Sequence, residues 1–351
     1  MNSETKKITL IAVGQFFHDS LNLYKDSSYV VEKTILEQEV ILAAEFIETA
    51  YRENGWFTKD SVLAVYEAWA NSLKEPKVEQ WLSKYDLEDN KNLKVGVIMA
   101  GNLPLVGLHD ALCVLISGNI LHAKLSSKDR SLMLLILKVI QKLIPNPEQV
   151  QLVEQLKDID SLIATGSDNS ARYFDYYFKE KKRIIRKNRT SIAVLQGDES
   201  EDDLHGLSHD VFRHFGLGCR NVTKLYLPKG YDLNHVFKAI FHYQEIGNHN
   251  KYANNYDYNK AVYLLSQVEL IENGFLLMKE DEGIHSPVGV LFYEFYDCLD
   301  EVKAIIENRK DALQCVVSNL DVAQRVPFGK AQSPELWDYA DGIDTIEFLL
   351  N

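Results

Sequence analysis

The segment FGLGCRN (215–221) sets a cysteine behind two glycines and beside an arginine. Gly216 and Gly218 let the backbone turn tightly in front of Cys219, and Arg220 places a positive charge next to the thiol. A free thiol has a pKa of about 8.5, and adjacent cations or helix ends lower it by stabilising the nucleophilic thiolate. Cys219 is therefore a candidate covalent nucleophile. The competing reading is a buried structural cysteine, the common fate of a free Cys. Cys113, Cys298 and Cys315 sit inside apolar helix or strand patterns and read as structural.

Three further segments carry polar groups at the ends of apolar runs. In VGVIMAGNLPLVG (95–107), Asn102 follows a strand and is fixed by Leu103-Pro104. Its amide can project into a crevice and donate to the oxyanion of a tetrahedral intermediate, although Asn-x-Pro is also an ordinary turn. In HAKLSSKD (122–129), Lys124 ends a strand, where it can meet a ribose or phosphate or simply lie solvated. In ATGSDNSAR (164–172), Gly166 and Ser167, after Thr165, open a helix, and exposed N–H groups with the helix dipole favour phosphate there. His209 and His214 precede Cys219 at a spacing of five, so they do not share a helix face. For these two and for His285, a capped or surface histidine is the plainer reading. His214, closest in sequence to Cys219, is the candidate proton donor.

The elements needed to position these groups are legible as a pattern. Residues 30–90 read as helical, with apolar residues recurring every three to four positions. Strands are predicted over 93–100, 119–126, 161–167 and 190–195, with helices between them. Such alternation indicates right-handed βαβ units and a parallel sheet. Gly101-Asn102, Ser126-Ser127 and Thr165-Gly166-Ser167 then fall beyond the carboxyl ends of strands, where open α/β sheets bind ligands. The acidic run GDESEDD (197–203) reads as a hinge or surface crossing. After it, a second α/β unit is predicted, with a helix near 204–215, strands at 222–228, near 274–278, 288–296 and 313–317, and helices near 233–246, 257–267 and 299–309.

The 351 residues are 46% hydrophobic and 25% charged, which fits a folded globular protein. A formal net charge of −13 disfavours nucleic acid or an anionic membrane surface as partner. A phosphate-bearing ligand must then be held by local donors. The four cysteines form no CxxC pair and are too few for a disulfide scaffold. The amino-terminal MNSETKKITLIAVGQ lacks a signal-peptide cleavage pattern, and no apolar stretch reaches membrane-spanning length. The expectation is a reducing, cytoplasmic compartment without membrane insertion.

Taken in order, Gly-Asn-x-Pro, Lys-x-Ser, Thr-Gly-Ser and Gly-x-Gly-Cys resemble the aldehyde dehydrogenase superfamily, from about residue 93 onward. IHSPVGVLFYEFYDCLDEVKAIIE (284–307) looks like that superfamily's Phe-Gly-Pro strand and helix, with His285-Ser286-Pro287 in its place. VPFGKAQSPELWDYADGIDTIEFL (326–349) looks like its carboxy-terminal Pro-Phe-Gly segment and final strand. The resemblance implies an α/β fold with a helical N-terminal region and a Rossmann-type cofactor domain over 1–195. It implies an α/β catalytic domain over 196–327 and a C-terminal segment, 328–351, with an interface strand. It further implies Cys219 as nucleophile, an oxyanion hole from the Asn102 side chain and the Cys219 N–H, Lys124 on the adenosine ribose, and Gly166 and Ser167 near the pyrophosphate. DTIEFLL, as a strand, would be an exposed edge that invites pairing between copies, so a homo-oligomer stays open.

Three departures sharpen the expectation. Where hydrolytic members carry a general-base Glu, this chain has Arg186-Lys187-Asn188-Arg189. Without that base an acyl-enzyme exchanges with a thiol such as coenzyme A rather than hydrolysing. The chain thus looks like the acyl-CoA reductase branch, which includes the long-chain fatty-acyl reductases of bacterial bioluminescence. Where NAD-preferring members carry an acid after Lys-Pro-Ser, this chain has Lys124-Leu125-Ser126-Ser127-Lys128, which favours NADPH while leaving NADH usable. The nicotinamide-ribose Glu aligns with Gly283, one residue from Glu282. The expected reaction is reduction of an acyl thioester, acyl-CoA or another carrier, to an aldehyde. Two alternatives stand beside it: a non-catalytic scaffold of the same fold, and an aldehyde oxidiser.

Overall fold

In the computed structural model, which describes residues 1–31, 34–88, 91–166 and 168–351, the chain begins with four helices. These are α1 (Ser3–Lys25), α2 (Glu37–Thr49), α3 (Lys59–Ser72) and α4 (Glu75–Leu82). The side chain of Asn2 caps α1 by accepting from the Thr5 N–H, and Thr58 caps α3 by accepting from Ser61. Such caps satisfy donors that the first helical turn leaves unpaired. Phe16, Phe17, Val40, Tyr66 and Trp81 are buried in one core together with residues of the sheet and helices that follow. The described residues of this helical region thus pack on the first sheet and its helices.

The sheet is built from β1 (Lys94–Ile98), α5 (Leu108–Ile116), β2 (Ile120–Lys124), α6 (Arg130–Leu143), β3 (Val150–Leu152), β4 (Ser161–Thr165), α7 (Asp168–Tyr177) and β5 (Lys182–Arg186). All five strands are parallel, in the order β3-β2-β1-β4-β5. The chain moves outward from β1 on one side, then returns to β1's other flank. That reversal opens a crevice at the carboxyl ends of β1 and β4, as in dinucleotide-binding folds. Ile98 lies opposite both Lys124 and Ala164, so β2, β1 and β4 end level.

A second unit covers residues 188–334, whereas residues 335–351 return to the first. The division falls at 187/188 and not at 195/196, because β6 (Thr190–Val194) pairs with strands of the second sheet. The unit continues with α8 (Glu201–Phe212), β7 (Val222–Pro228), α9 (Asn234–Ile240), a 3-10 segment over Phe241–Asn248, and α10 (Asn250–Leu265). Then come β8 (Ile271–Glu272), β9 (Leu277–Glu280), β10 (Val290–Tyr296), α11 (Leu299–Arg309), β11 (Leu313–Val317) and β12 (Arg325–Val326). Their order is β12-β11-β6-β7-β10-β9-β8, parallel except for β8 against β9. The acidic run is not a hinge. Ser200 and Asp203 form a capping box, and Glu201, Asp202 and Asp203 fill the first turn of α8, where acids suit the helix dipole.

The C-terminal expectation fails in one respect. DTIEFLL is not a strand but a short helix, α12 (Thr345–Leu350), capped by the Asp344 side chain accepting from Glu347. Ile346 and Leu349, three apart, are the buried pair, which is a helical spacing. The Thr345 hydroxyl also accepts from Arg186, whose guanidinium pairs with Asp110 in the interior. The edge-strand reason for pairing between copies falls with this element. Among the described residues, no helix is long and apolar enough to cross a membrane.

Candidate active site

In the first unit, residues 99–102, 125–129 and 165–166 emerge along the carboxyl edge of the sheet. The turn before Asn102 and the loop after β2 approach closely: a Cβ on Gly101 would lie 2.8 Å from the Ser126 Cβ. Only glycine permits that approach. Asn102 itself is exposed. Lys124, Ser127 and Lys128 are exposed on the neighbouring loop, and half-buried Ser126 accepts from the Lys128 N–H at 3.2 Å. Thr165 and Gly166 are half-buried at the end of β4, with the Gly166 N–H directed at the Arg186 carbonyl, 3.4 Å away. Ser167 lies outside the described residues.

Two residues that carry no sequence motif hold this edge in shape. The buried Asn54 amide donates to the Gly101 carbonyl (3.1 Å) and the Lys128 carbonyl (3.3 Å), bridging both loops. Glu53 accepts from the N–H groups of Arg130 and Ser131 and so caps α6. Asp129 is buried beside them, accepting from the Leu105 N–H at 2.7 Å, while its other oxygen is without a hydrogen-bond partner. Burial pushes its pKa up to about 8, against the Leu105 hydrogen bond, and the Glu53 charge adds to the rise.

In the second unit, Cys219 is exposed on a turn between α8 and β7. His214, Phe215 and Gly216 occupy left-handed backbone positions in succession, with φ of 54°, 60° and 74°. Glycine takes such angles freely, whereas His214 and Phe215 are strained there. Asn221, fully buried, holds the turn. Its Nδ2 donates to the carbonyls of Asp210, Val211 and Arg213 at 2.9–3.2 Å, and its Oδ1 accepts from the Gly218 N–H at 2.8 Å. From β6, the Ser191 hydroxyl donates to the Cys219 carbonyl at 3.0 Å. Arg220 donates through Nε to the Ala331 carbonyl, tying the turn to the Pro-Phe-Gly segment.

Of the other chemistry-bearing groups around this turn, Asp210 is committed elsewhere, whereas the buried His214 Nδ1 has no hydrogen-bond partner. Both oxygens of Asp210 accept backbone N–H groups, from Gly329 (2.7 Å) and Ala331 (2.9 Å). Burial nevertheless pushes its pKa up to about 6. His214 is pushed down to about 4, first by burial and then by Arg213, so it is neutral at neutral pH and is no imidazolium acid. His285 is exposed. Cys113 and Cys315 are buried as expected, but Cys298 is exposed, preceding α11 at its N-cap. A small pocket of about 20 Å³ opens beside Gly216, lined among others by Phe212, Phe215, Thr223, Tyr252 and Ser286. Tyr173, Tyr176 and Tyr177 are exposed on α7.

No family model and no curated protein matches the sequence. Solved structures do match. Aldehyde dehydrogenase 21 from Physcomitrella patens, in complex with succinate, superposes with a TM-score of 0.68 at 12% identity, over 100% of this chain and 84% of that one. Aldehyde dehydrogenase C from Pseudomonas syringae, complexed with NAD+ and octanal, gives 0.62 at 13% identity, over 94% and 74%. The indole-3-acetaldehyde dehydrogenase of P. syringae gives 0.61 at 12%, over 91% and 72%.

The fold is that of the aldehyde dehydrogenases.

Within that fold the parallel five-stranded sheet corresponds to the expected Rossmann-type domain. The motif residues 102, 124, 126–128, 165 and 166 gather at one edge of it. Cys219 and its clamp Asn221 belong to the second unit. Glu53 and Asn54 lie in no sequence motif, whereas Asn221 ends the Gly-x-Gly-Cys-Arg-Asn run.

Proposed function

We propose that the chain reduces an acyl thioester to an aldehyde with NADPH, through an acyl-enzyme on Cys219. The observation that carries this reading is the exposed Cys219 on a turn clamped by Asn221, in an aldehyde dehydrogenase fold. The donors at the sheet edge suit a nicotinamide dinucleotide. Lys124 and Lys128 are exposed amines flanking Ser126 and Ser127, and the 124–128 stretch holds no acid to repel a 2′-phosphate.

In the proposed sequence the Cys219 thiolate attacks the thioester carbonyl, and Asn102 donates to the developing oxyanion. The carbon–sulfur bond to the carrier breaks, and the carrier leaves as a thiolate that takes a proton from water. The acyl group is then a thioester of Cys219. NADPH, when bound, supplies the hydride that converts this thioester to a thiohemiacetal. Its collapse breaks the bond to Cys219, releases aldehyde and regenerates the thiolate. Asp210 is unsuited to activating water, since both its oxygens are bonded to backbone. Acyl transfer to and from a thiol is therefore favoured over hydrolysis.

Aldehyde oxidation is the second reading, favoured by the activities named for the structural neighbours. Intact-mass spectrometry with a panel of acyl-CoAs separates the two. An acyl adduct on Cys219, discharged by NADPH to aldehyde and absent in Cys219→Ala, is expected. NAD+-dependent oxidation of aldehydes without coenzyme A, and no adduct from any acyl-CoA, would favour oxidation. With Asn102→Ala the chemical step should slow by about 10²–10³-fold, as loss of an oxyanion donor does.

A further inference from the structure

His205, His209 and His242 meet on the second unit, and nothing in the proposed reaction uses them. His205 and His209 are one turn apart on α8, so they share a face. His242 reaches them from the 3-10 segment that follows α9. One ring nitrogen from each lies within 4.8 Å of the other two. We propose that these three imidazoles bind a divalent transition-metal ion of the zinc type, with a fourth position left to water.

The supporting shell points the same way. The His242 Nδ1 lies 2.8 Å from the Ala239 carbonyl, which accepts only, so Nδ1 carries the proton and Nε2 presents a lone pair. The His209 Nδ1 lies 2.7 Å from the Tyr243 hydroxyl, leaving its Nε2 for a ligand. Metal-bound histidines are typically oriented by such a bond on the second nitrogen. Ser208 sits 3.1 Å from the His242 Nε2, but its single hydroxyl proton goes to the His205 carbonyl, so Nε2 keeps its lone pair for a metal.

Tetrahedral ligation at about 2.0–2.1 Å needs nitrogens roughly 3.4 Å apart. The rings of His205 and His242 stack at 4.2 Å and 12° from parallel, so ligation requires the exposed His205 side chain to rotate out of the stack and bring its nitrogen closer. Neutral imidazoles without thiolate or carboxylate suit Zn2+, Ni2+, Co2+ or Cu2+ over Mg2+ or Ca2+. A bound ion cross-links α8 to the 241–248 segment. It would stiffen the end of the helix whose carbonyls Asn221 grips.

The test uses the full chain, chelator-treated, with Cys219→Ser and Cys298→Ser to remove the two exposed thiols as competing ligands. Titration with Zn2+ alone, by calorimetry, should show one equivalent bound, with a higher melting temperature. Co2+ alone should give the visible bands of a tetrahedral site. His205→Gln, at an exposed position, should lower zinc affinity by more than 100-fold without changing the melting temperature of the metal-free protein. Tyr243→Phe should cost about 10–100-fold, as loss of a supporting partner does. No binding, or binding indifferent to His205→Gln, would overturn the site. The readout needs no substrate, so it stands or falls apart from the thioester reaction.

Discussion

Asn54 and Gly101 are 47 residues apart, yet the Asn54 amide donates to the Gly101 carbonyl at 3.1 Å and simultaneously reaches Lys128. One buried side chain from the helical region therefore fixes the spacing of the two loops that carry Asn102 and the lysines. In Asn54→Ala both carbonyls lose their donor in a dry setting. The expected loss is about 1–3 kcal/mol in unfolding free energy. Under the proposed function, the KM for NADPH should also rise because both loops loosen. Denaturant unfolding and steady-state kinetics measure the two effects; a stability loss with no change in KM would separate the clamp from cofactor binding.

Asn221 plays the matching part for Cys219. Asn221→Asp keeps an oxygen for the Gly218 N–H but turns the donor toward three carbonyls into an acceptor. Asp should therefore be worse than Ala, reversing the usual order of conservative and drastic changes. Asn221→Ala is expected to cost about 2–4 kcal/mol, and with the strained His214 and Phe215 released, iodoacetamide labelling of Cys219 should change in rate. Equal stability of the two variants would contradict the clamp.

These two asparagines show where the sequence stops being legible. The strands β1, β2, β4 and β6 announce themselves as short apolar runs, because a sheet buried on both faces needs nothing else. The candidate ligand edge follows from the polar clusters that end them. Asn54 and Asn221 announce nothing, since their importance lies in carbonyls supplied by distant or irregular backbone. DTIEFLL misleads because seven residues with apolar positions fit either period, and the Asp344 cap with the Ile346–Leu349 spacing decides for helix. His205 and His242 lie 37 residues apart, so only the packing of α8 on α9 makes them neighbours.

Asp129 gives a pH dependence of unusual sign for a carboxylate. Its folded pKa, about 8, lies above the ordinary 3.8, so the native state binds a proton that the unfolded chain has released. Between about pH 4 and pH 8 the native state holds more protons, and stability must fall as pH rises, by up to about 1.4 kcal/mol per unit. The contribution is complete below the unfolded value and gone above the folded one. Asp129→Asn still offers an oxygen to the Leu105 N–H and cannot ionise. Its stability should exceed wild type at pH 8, and the slope between pH 5 and 8 should flatten. Urea unfolding at several pH values decides; an unchanged slope would mean that Asp129 titrates as an ordinary carboxylate.

Lys128 bears on the choice of cofactor. It is exposed on the loop after β2, four residues beyond Lys124, and its backbone is pinned on both sides: the N–H by Ser126, the carbonyl by Asn54. The loop is thus held while the amine is left to find a ligand. Under the proposed function this amine attracts the 2′-phosphate of NADPH. Lys128→Glu replaces attraction by repulsion at a solvated site, where each tenfold in affinity corresponds to about 1.4 kcal/mol. The kcat/KM for NADPH should fall about 10–100-fold, while that for NADH holds or improves. The NADPH effect should also shrink at high salt, since exposed charges are screened. Equal losses with both cofactors would instead assign Lys128 to the fold of the loop, and NADPH selectivity would have to come from Lys124 or from outside this stretch.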